Sequence, residues 1–161
     1  MPRLILVRHA KAVDRYDADD DFERGLTPRG REDAAETARQ LQAAGIGADL
    51  ALVSPAQRTL QTYIAMREMI GNPGFEDPMA LYHASPDMLL RALLDALDRA
   101  TSILLVGHNP GIGVLAQNLA ERAGRLQDMP DGYPTSAAAA FSVPDANLDT
   151  VTLDLIVNPK A

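Results

Sequence analysis

The sequence predicts an α/β protein, a three-layer α/β/α sandwich with a mainly parallel central sheet. Three observations predict this fold. Short, wholly apolar segments recur along the chain of 161 residues, as in strands that are covered on both faces. Segments with helical apolar spacing lie between them, and such alternation is typical of a sheet packed between helices. A Ser, Thr or Asn followed by Pro precedes four of the helical segments, and this pair indicates a helix start.

Strands are predicted from residue patterns at five places, and the alternation of elements leaves room for one more between the second and third helices. Residues 4–7, 50–53 and 103–106 are wholly apolar, so we expect them at the centre of the sheet. Residues 137–143 form a weaker candidate. Residues 151–155 alternate between apolar and polar side chains, as in a strand with one face in solvent. The length fits a single domain over 1–161.

Four helices are predicted from apolar spacing. Their apolar positions are Ala34, Ala38 and Leu41 in the first helix, Leu60, Ile64 and Ile70 in the second, Leu90, Leu93, Leu94 and Leu97 in the third, and Ile112, Leu115, Ala116 and Leu119 in the fourth. The start signals are Thr27-Pro28, Ser54-Pro55, Ser85-Pro86 and Asn109-Pro110. Because Ser54 and Asn109 directly follow strands, we expect both at the carboxyl edge of the sheet. Helix N-termini bind anions at that edge.

Composition excludes several classes of protein. The net charge is −7 and no run of Lys and Arg occurs, so we expect no nucleic-acid partner. No apolar stretch has the length of a membrane span, and no signal peptide is recognisable, so we expect a cytoplasmic protein without a membrane partner. The absence of cysteine excludes disulfides and thiolate chemistry.

The histidines and arginines point to chemistry on phosphate. His9 and His108 each follow an apolar strand, Arg8 precedes His9, and Arg58 lies one turn into the second helix. Arginines repel a metal cation, so we expect no metal and no cofactor. Guanidinium groups bind phosphate oxygens bidentately. The pattern therefore predicts a phosphoryl pocket at the carboxyl edge of the sheet.

A neutral imidazole in such a pocket can take up a phosphoryl group covalently. We therefore expect His9 to attack phosphorus, while Arg8, Arg58 and a protonated His108 stabilise the transition state. Water then hydrolyses the phosphohistidine. The expected partner is a phosphorylated protein or a small phosphorylated molecule.

Four segments resemble, in order, the motifs of the histidine phosphatase (phosphoglycerate mutase-like) superfamily. They are R-H-A at 8–10, R-G-L-T-P-R-G at 24–30, S-P-A-Q-R-T-L-Q-T at 54–62 and G-H-N-P at 107–110. The resemblance implies catalytic roles for His9, Arg8, Arg58 and His108. It also implies that Arg24 contacts substrate, and we expect Ser54 and Asn109 to do so from the strand ends. The short chain and P-T-S-A at 134–137 resemble the SixA-type phosphohistidine phosphatases.

Two departures from the family pattern affect the prediction. Ala10 replaces the usual glycine after the nucleophile, and we expect a change in packing there, not in chemistry. Members that cleave phosphate esters usually carry an acidic residue near the third strand. The corresponding segment, 79–84, has no carboxylate. His83 is a candidate proton donor, although a surface histidine is the simpler interpretation.

The missing carboxylate favours a phosphohistidine substrate, because imidazole is a better leaving group than an alkoxide. A broad-specificity phosphomonoesterase of the same fold is the first alternative, and a non-catalytic phosphate-binding module is the second. The segment from Asp14 to Glu23 contains six acidic residues. We expect it to form a loop beside the pocket that disfavours highly anionic small substrates.

Overall fold

The central element of the computed structural model, which describes residues 1–160, is a six-stranded sheet in the order β3-β2-β4-β1-β5-β6. The strands are β1 Arg3–Arg8, β2 Leu50–Val53, β3 Gly74–Glu76, β4 Ser102–Gly107, β5 Ala138–Ser142 and β6 Thr152–Val157. The helices are α1 Pro28–Ala43, α2 Gln57–Met66, α3 Pro86–Ala96 and α4 Gly111–Arg122. The β3, β2, β4 and β1 strands are parallel neighbours, and β5 and β6 add antiparallel pairs at one side.

Side chains alternate between the two faces of the sheet and build two cores. On β1, Leu4 and Leu6 pack with Leu93 and Ile112 of α3 and α4. Ile5 and Val7 face the opposite core, which contains residues of α1 and α2 such as Leu41. All four β1 side chains are fully buried. The predicted three-layer architecture with a mainly parallel sheet is therefore confirmed.

The strand register sets the position of the site. β1 and β4 run parallel from Arg3 opposite Ser102 to Arg8 opposite Gly107. His9 and His108 are the next residue on each strand. They therefore leave the sheet side by side at its carboxyl edge.

The predicted apolar face of the second helix is wrong. Ile64 is 55% exposed, α2 ends at Met66, and Ile70 lies in a following 3₁₀ turn. Two buried threonines lie on the inner face instead. Thr59 Oγ1 donates to the carbonyl of Ser54, and Thr62 Oγ1 donates to that of Arg58. These back-bonds satisfy the hydroxyls, so a count of apolar residues alone missed the face.

Two of the four predicted helix caps are confirmed. Thr27 accepts a hydrogen bond from the amide of Gly30, and Ser85 accepts one from the amide of Met88. The cap at Ser54 is wrong, because α2 starts three residues later and the Ser54 hydroxyl contacts His108. Asn109 precedes the assigned cap of α4, yet its Oδ1 still accepts from an amide in the first turn. Within 1–160, no helix combines the length and apolarity needed to cross a membrane.

Candidate active site

Two imidazole rings meet at the carboxyl edge of β1 and β4. The ring centroids of His9 and His108 are 5.4 Å apart, and both residues are buried. The His9 amide donates to the carbonyl of Gly107 at 3.0 Å, and the Ala10 amide donates to Thr62 Oγ1 at 2.9 Å. The backbone around His9 is therefore fixed to both β4 and α2.

The tautomer of His9 follows from its backbone contact. His9 Nδ1 lies 2.7 Å from the carbonyl oxygen of Ala10. Because a carbonyl oxygen can only accept, Nδ1 carries the proton and Nε2 keeps its lone pair. The ring is thereby set to present an unprotonated nitrogen to a reacting atom.

Burial also keeps His9 neutral. Desolvation is the main cause that lowers the pKa of His9, to about 4, and the hydrogen bond to Ala10 opposes it only in part. The positive charges of Arg58, Arg8 and Arg24 lower it further. At neutral pH the imidazole is therefore a free base, as nucleophilic attack requires.

His108 is held from behind by Ser54. His108 Nε2 lies 2.7 Å from Ser54 Oγ, and Nδ1 is buried without a partner among residues 1–160. Burial, followed by the charge of Arg58, lowers the pKa of His108 to about 3. Desolvation and a neighbouring guanidinium therefore both disfavour the cation of His108, and its protonation in the transition state stays a prediction.

Two guanidinium groups flank the histidines. Arg8 Nη1 donates to the carbonyl of Tyr133 at 3.3 Å. Arg58 Nη1 donates to the carbonyl of Asp21 at 2.8 Å, and its Nη2 donates to Asp21 Oδ2 at 3.0 Å. The Nε atoms of both arginines are buried and have no acceptor in the part of the chain that the structure describes. Burial, and then the nearby Arg58, lowers the pKa of Arg8.

Unpaired buried donors are uncommon in folded proteins. Of the six buried side-chain polar atoms that lack a partner among residues 1–160, three belong to the site: Arg8 Nε, Arg58 Nε and His108 Nδ1. The two guanidinium nitrogens can donate charge-assisted hydrogen bonds to an anion, and His108 Nδ1 donates in the ring form that is protonated there. The arrangement can therefore bind a phosphoryl group next to His9.

Arg24 lies at the edge of this site. Its Nε donates to the carbonyl of Val13 at 2.8 Å, and its Nη1 donates to Asp21 Oδ1 at 3.0 Å. The positive charge of Arg24 is close enough to His9 to lower the pKa of that ring. Direct contact between Arg24 and substrate stays a prediction.

Asp21 is the site residue that the sequence analysis missed. Its carboxylate accepts from Arg24 and Arg58, and also from the Tyr82 hydroxyl at 2.5 Å. Partial burial acts to raise the pKa of Asp21, but the hydrogen bonds from Tyr82, Arg24 and Arg58 outweigh it and hold the pKa far below its usual range. Its position three residues before the family-like Arg24 was the available signal.

His83 lies at the mouth of the site. It is exposed, with its ring centroid 5.3 Å from that of His108 and 4.0 Å from that of Tyr82. Its Nε2 is 3.4 Å from Asp21 Oδ2. The structure therefore brings His83 to the site, while a role in proton donation stays a prediction.

Ser54 and Asn109 occupy supporting positions. Ser54 is fully buried behind His108. Asn109 Nδ2 donates to the carbonyls of Gly132 and Tyr133, and its Oδ1 accepts from the amide of Gly113. These contacts fix His108 and the segment that also binds Arg8, and direct substrate contact by either residue stays a prediction.

The chain belongs to the histidine phosphatase superfamily. The profile of branch 1 of that superfamily matches residues 4–78. An uncharacterized protein of Mycobacterium tuberculosis is 30% identical over 145 residues, which cover 85% of this chain and 87% of that protein. An uncharacterized protein of a Picosynechococcus species is 31% identical over 122 residues, covering 73% of this chain and 72% of that protein.

Among solved structures the chain is similar to SixA proteins. A protein assigned as the phosphohistidine phosphatase SixA of Agrobacterium tumefaciens superposes with a TM-score of 0.85 at 28% identity, covering 99% of both chains. One from Nakamurella multipartita gives a TM-score of 0.80 at 26% identity, covering 99% of this chain and 97% of that one. The protein histidine phosphatase SixA complexed with tungstate has the same fold. It superposes with a TM-score of 0.79 at 24% identity, covering 98% of this chain and 97% of that one. Family and neighbours together support a phosphatase enzyme.

Proposed function

We propose that this chain hydrolyses phosphohistidine on a protein substrate, through a covalent phosphohistidine intermediate on His9. One observation carries the proposal. His9 is a buried neutral imidazole whose Nδ1 proton is held by the Ala10 carbonyl at 2.7 Å. Its free Nε2 shares the site with buried guanidinium N–H groups that lack acceptors within residues 1–160.

In the first step, the lone pair of His9 Nε2 attacks phosphorus and a bond forms between them. The bond from phosphorus to the leaving nitrogen breaks, and its electron pair stays on that nitrogen. His9 becomes a phosphoimidazolium. Its positive charge is stabilised by the Nδ1–H contact with the Ala10 carbonyl oxygen, which accepts a stronger hydrogen bond from a charged ring.

Three donors stabilise the phosphoryl oxygens during transfer. Arg8 Nε and Arg58 Nε are positive and desolvated, so their interaction with the transferring group is stronger than in water. For the neutral ring of His108 we assign the proton of the 2.7 Å contact to the Ser54 hydroxyl, which leaves a proton on His108 Nδ1 to donate to the third oxygen. A bound phosphoryl dianion also favours the protonated form of His108, in which Nε2 donates to Ser54 Oγ and Nδ1 still donates to the phosphoryl oxygen.

In the second step, water attacks the phosphorus of phospho-His9. The bond from phosphorus to Nε2 breaks, its electron pair returns to Nε2, and both water protons leave with the phosphate as dihydrogen phosphate. His9 is restored as a neutral imidazole. The same cationic groups stabilise this transition state, because the phosphoryl group stays in the same place.

A nitrogen leaving group fits this site better than an alkoxide. The segment 79–84 contains no carboxylic acid, and Asp21, the carboxylate that does reach the site, is held ionised by its hydrogen bonds. An ionised carboxylate cannot donate a proton to an alkoxide. An imidazole leaves without that help, and the similarity to proteins assigned as SixA supports the same substrate class.

The test compares wild type with His9→Ala on a protein phosphorylated on histidine, on p-nitrophenyl phosphate and on a sugar phosphate. We expect wild type to prefer phosphohistidine and His9→Ala to lose at least 1,000-fold in kcat, on the order of 4 kcal/mol. Arg122→Ala is the control, because Arg122 ends α4 at the end far from His108 and pairs with Asp149 on the surface. If wild type turns over the sugar phosphate as fast as the protein phosphorylated on histidine, the enzyme is instead a broad phosphomonoesterase.

A trapping experiment tests the intermediate directly. Brief incubation with a labelled phosphodonor and rapid quenching at high pH preserve a phosphohistidine, which is stable in base and labile in acid. Mass spectrometry then maps the label. We expect it on His9. Full phosphatase activity with no base-stable label, or a label on His108, is incompatible with the proposed mechanism.

A further inference from the structure

We infer that Asp21 determines specificity, by selecting phosphoryl donors whose leaving group presents a positively charged N–H to its carboxylate. This inference rests on the proposed function and names the leaving-group class that the site accepts. Phosphohistidine protonated on its second ring nitrogen belongs to that class. Phosphate esters with neutral or anionic leaving groups do not.

The contacts of Asp21 place it on one side of the phosphoryl pocket. Arg58 lies in contact with Asp21 through Nη1 and Nη2, while its Nε has no acceptor in the described chain. Tyr82, which donates to Asp21, has its ring centroid 5.6 Å from that of His108. Within residues 1–160, Asp21 makes no hydrogen bond or ion pair with Arg8 or His9. We therefore assign Asp21 to the side where a leaving group departs.

One oxygen of Asp21 has capacity for a further donor. Oδ2 accepts from Arg58 and Tyr82 and lies 3.4 Å from His83 Nε2. Oδ1 accepts only from Arg24 among the described residues, and a carboxylate oxygen accepts two hydrogen bonds. The Asp21 side chain is 37% exposed. An N–H group of a substrate can therefore reach it.

A space that adjoins the Asp21 carboxylate through His83 fits a flat ring. A cavity of about 310 Å³ lies between the segment 83–86 and the segment 108–111. His83 and His108 line it, and the Tyr82 ring packs against His83 with a centroid distance of 4.0 Å. Aromatic walls of this kind stack with a planar group such as imidazole.

The chemistry of the P–N bond favours a partner of this kind. When the second ring nitrogen of phosphohistidine carries a proton, the ring is cationic, and breaking the P–N bond releases neutral imidazole. Without that proton the ring must leave as an imidazolate anion. A carboxylate that accepts the N–H stabilises the cationic form. No proton is transferred in this step, and positive charge passes from the leaving ring to His9.

The same carboxylate disfavours anionic leaving groups. Like charges repel more strongly at a partly desolvated site than in water. The neighbouring acids of the loop, Asp17, Asp19, Asp20 and Glu23, are exposed, so solvent and salt screen their charges. The negative charge that faces the leaving group is therefore that of Asp21.

The test measures a selectivity ratio in Asp21→Asn, which keeps the size and an acceptor oxygen but removes the charge. The substrates are a phosphohistidine peptide, phosphoramidate and p-nitrophenyl phosphate. We expect the ratio of kcat/KM for phosphohistidine over p-nitrophenyl phosphate to fall at least tenfold. We expect phosphoramidate, which releases ammonia, to lose activity in parallel with phosphohistidine.

Asp19→Asn is the matched control, since it removes the same charge from an exposed position in the same loop. We expect its ratio to match wild type. If Asp21→Asn lowers kcat/KM equally for all three substrates, or abolishes activity on all of them, Asp21 only positions Arg58 and the inference is overturned. If wild type fails on the phosphohistidine peptide, the proposed function fails, while the ratio of phosphoramidate to p-nitrophenyl phosphate still tests Asp21.

Discussion

The hydroxyl of Ser54 is the most informative single group to remove. It is fully buried and contacts His108 Nε2 at 2.7 Å. In Ser54→Ala the ring nitrogen loses its partner in a position that water does not reach. An unsatisfied buried polar group costs about 1–3 kcal/mol. In a chain of this length, that cost lowers Tm by roughly 2–12 °C, at about 2–4 °C per kcal/mol.

The same substitution alters the chemistry through the tautomer of His108. In the proposed mechanism, Nε2 of the neutral ring accepts from the Ser54 hydroxyl and Nδ1 presents a proton to the phosphoryl oxygens. In Ser54→Ala the proton of the neutral His108 ring can sit on Nε2 instead. Nδ1 then carries a lone pair, which repels the phosphoryl oxygens. We expect kcat to fall about 10–100-fold, which corresponds to roughly 1.4–2.7 kcal/mol.

The assay combines steady-state kinetics, thermal unfolding and ¹⁵N NMR of the His108 ring. Ser142→Ala is the matched control, because Ser142 is also a buried serine with a side-chain hydrogen bond, to Asp154, but it lies on β5 away from the site. We expect the control to lose stability and retain kcat. An unchanged His108 tautomer together with wild-type kcat in Ser54→Ala refutes the assigned role of the hydroxyl.

Two further predictions concern His9 and its surroundings. Burial lowers the pKa of His9 to about 4, so an NMR titration should find the ring neutral down to below pH 5. A titration midpoint near 6.5 would show that the ring is not desolvated. A Cβ on Gly30 would lie 2.2 Å from the carbonyl oxygen of Lys11, two residues after His9. Gly30→Ala should therefore displace that segment and cost about 1–3 kcal/mol in the free energy of unfolding, measured by denaturant titration. Gly74→Ala, with no atom within 4 Å of its added Cβ, should leave stability nearly unchanged.

The placement of His9 and His108 at one edge of the sheet could be predicted from sequence, while the pairing of β1 with β4 that brings the two rings together could not. Each histidine follows a wholly apolar strand, and parallel strands end at the same edge of a sheet. The register of β1 with β4 then leaves little freedom in where the two rings lie. Wholly apolar runs therefore carry information about tertiary structure when both partners are buried parallel strands.

The role of Ser54 could not be predicted in the same way. A serine before proline caps many helices, and nothing local distinguishes Ser54 from Ser85, which does cap its helix. The difference is tertiary, because His108 offers a buried nitrogen at 2.7 Å from the Ser54 hydroxyl. A contact between residues 54 positions apart competes with the cap, and sequence patterns do not report that competition.

Asp21 illustrates the same limit in a loop. Six of the ten residues from Asp14 to Glu23 are acidic, and composition treats them as equivalent. Asp21 is selected by docking against Arg58 and Tyr82, which come from two other segments of the chain. Only the three-dimensional arrangement of those segments identifies which carboxylate enters the site.

The charges of the site explain how an acidic chain can hold a phosphoryl group. Arg8, Arg24 and Arg58 bring three positive charges to one edge of the sheet, and Asp21 neutralises one of them. The lowered pKa values of His9 and His108 favour the uncharged form of both rings. Two positive charges therefore remain, and they match the two negative charges of a phosphoryl group. The surrounding net charge of −7 opposes the approach of a substrate with additional negative charge.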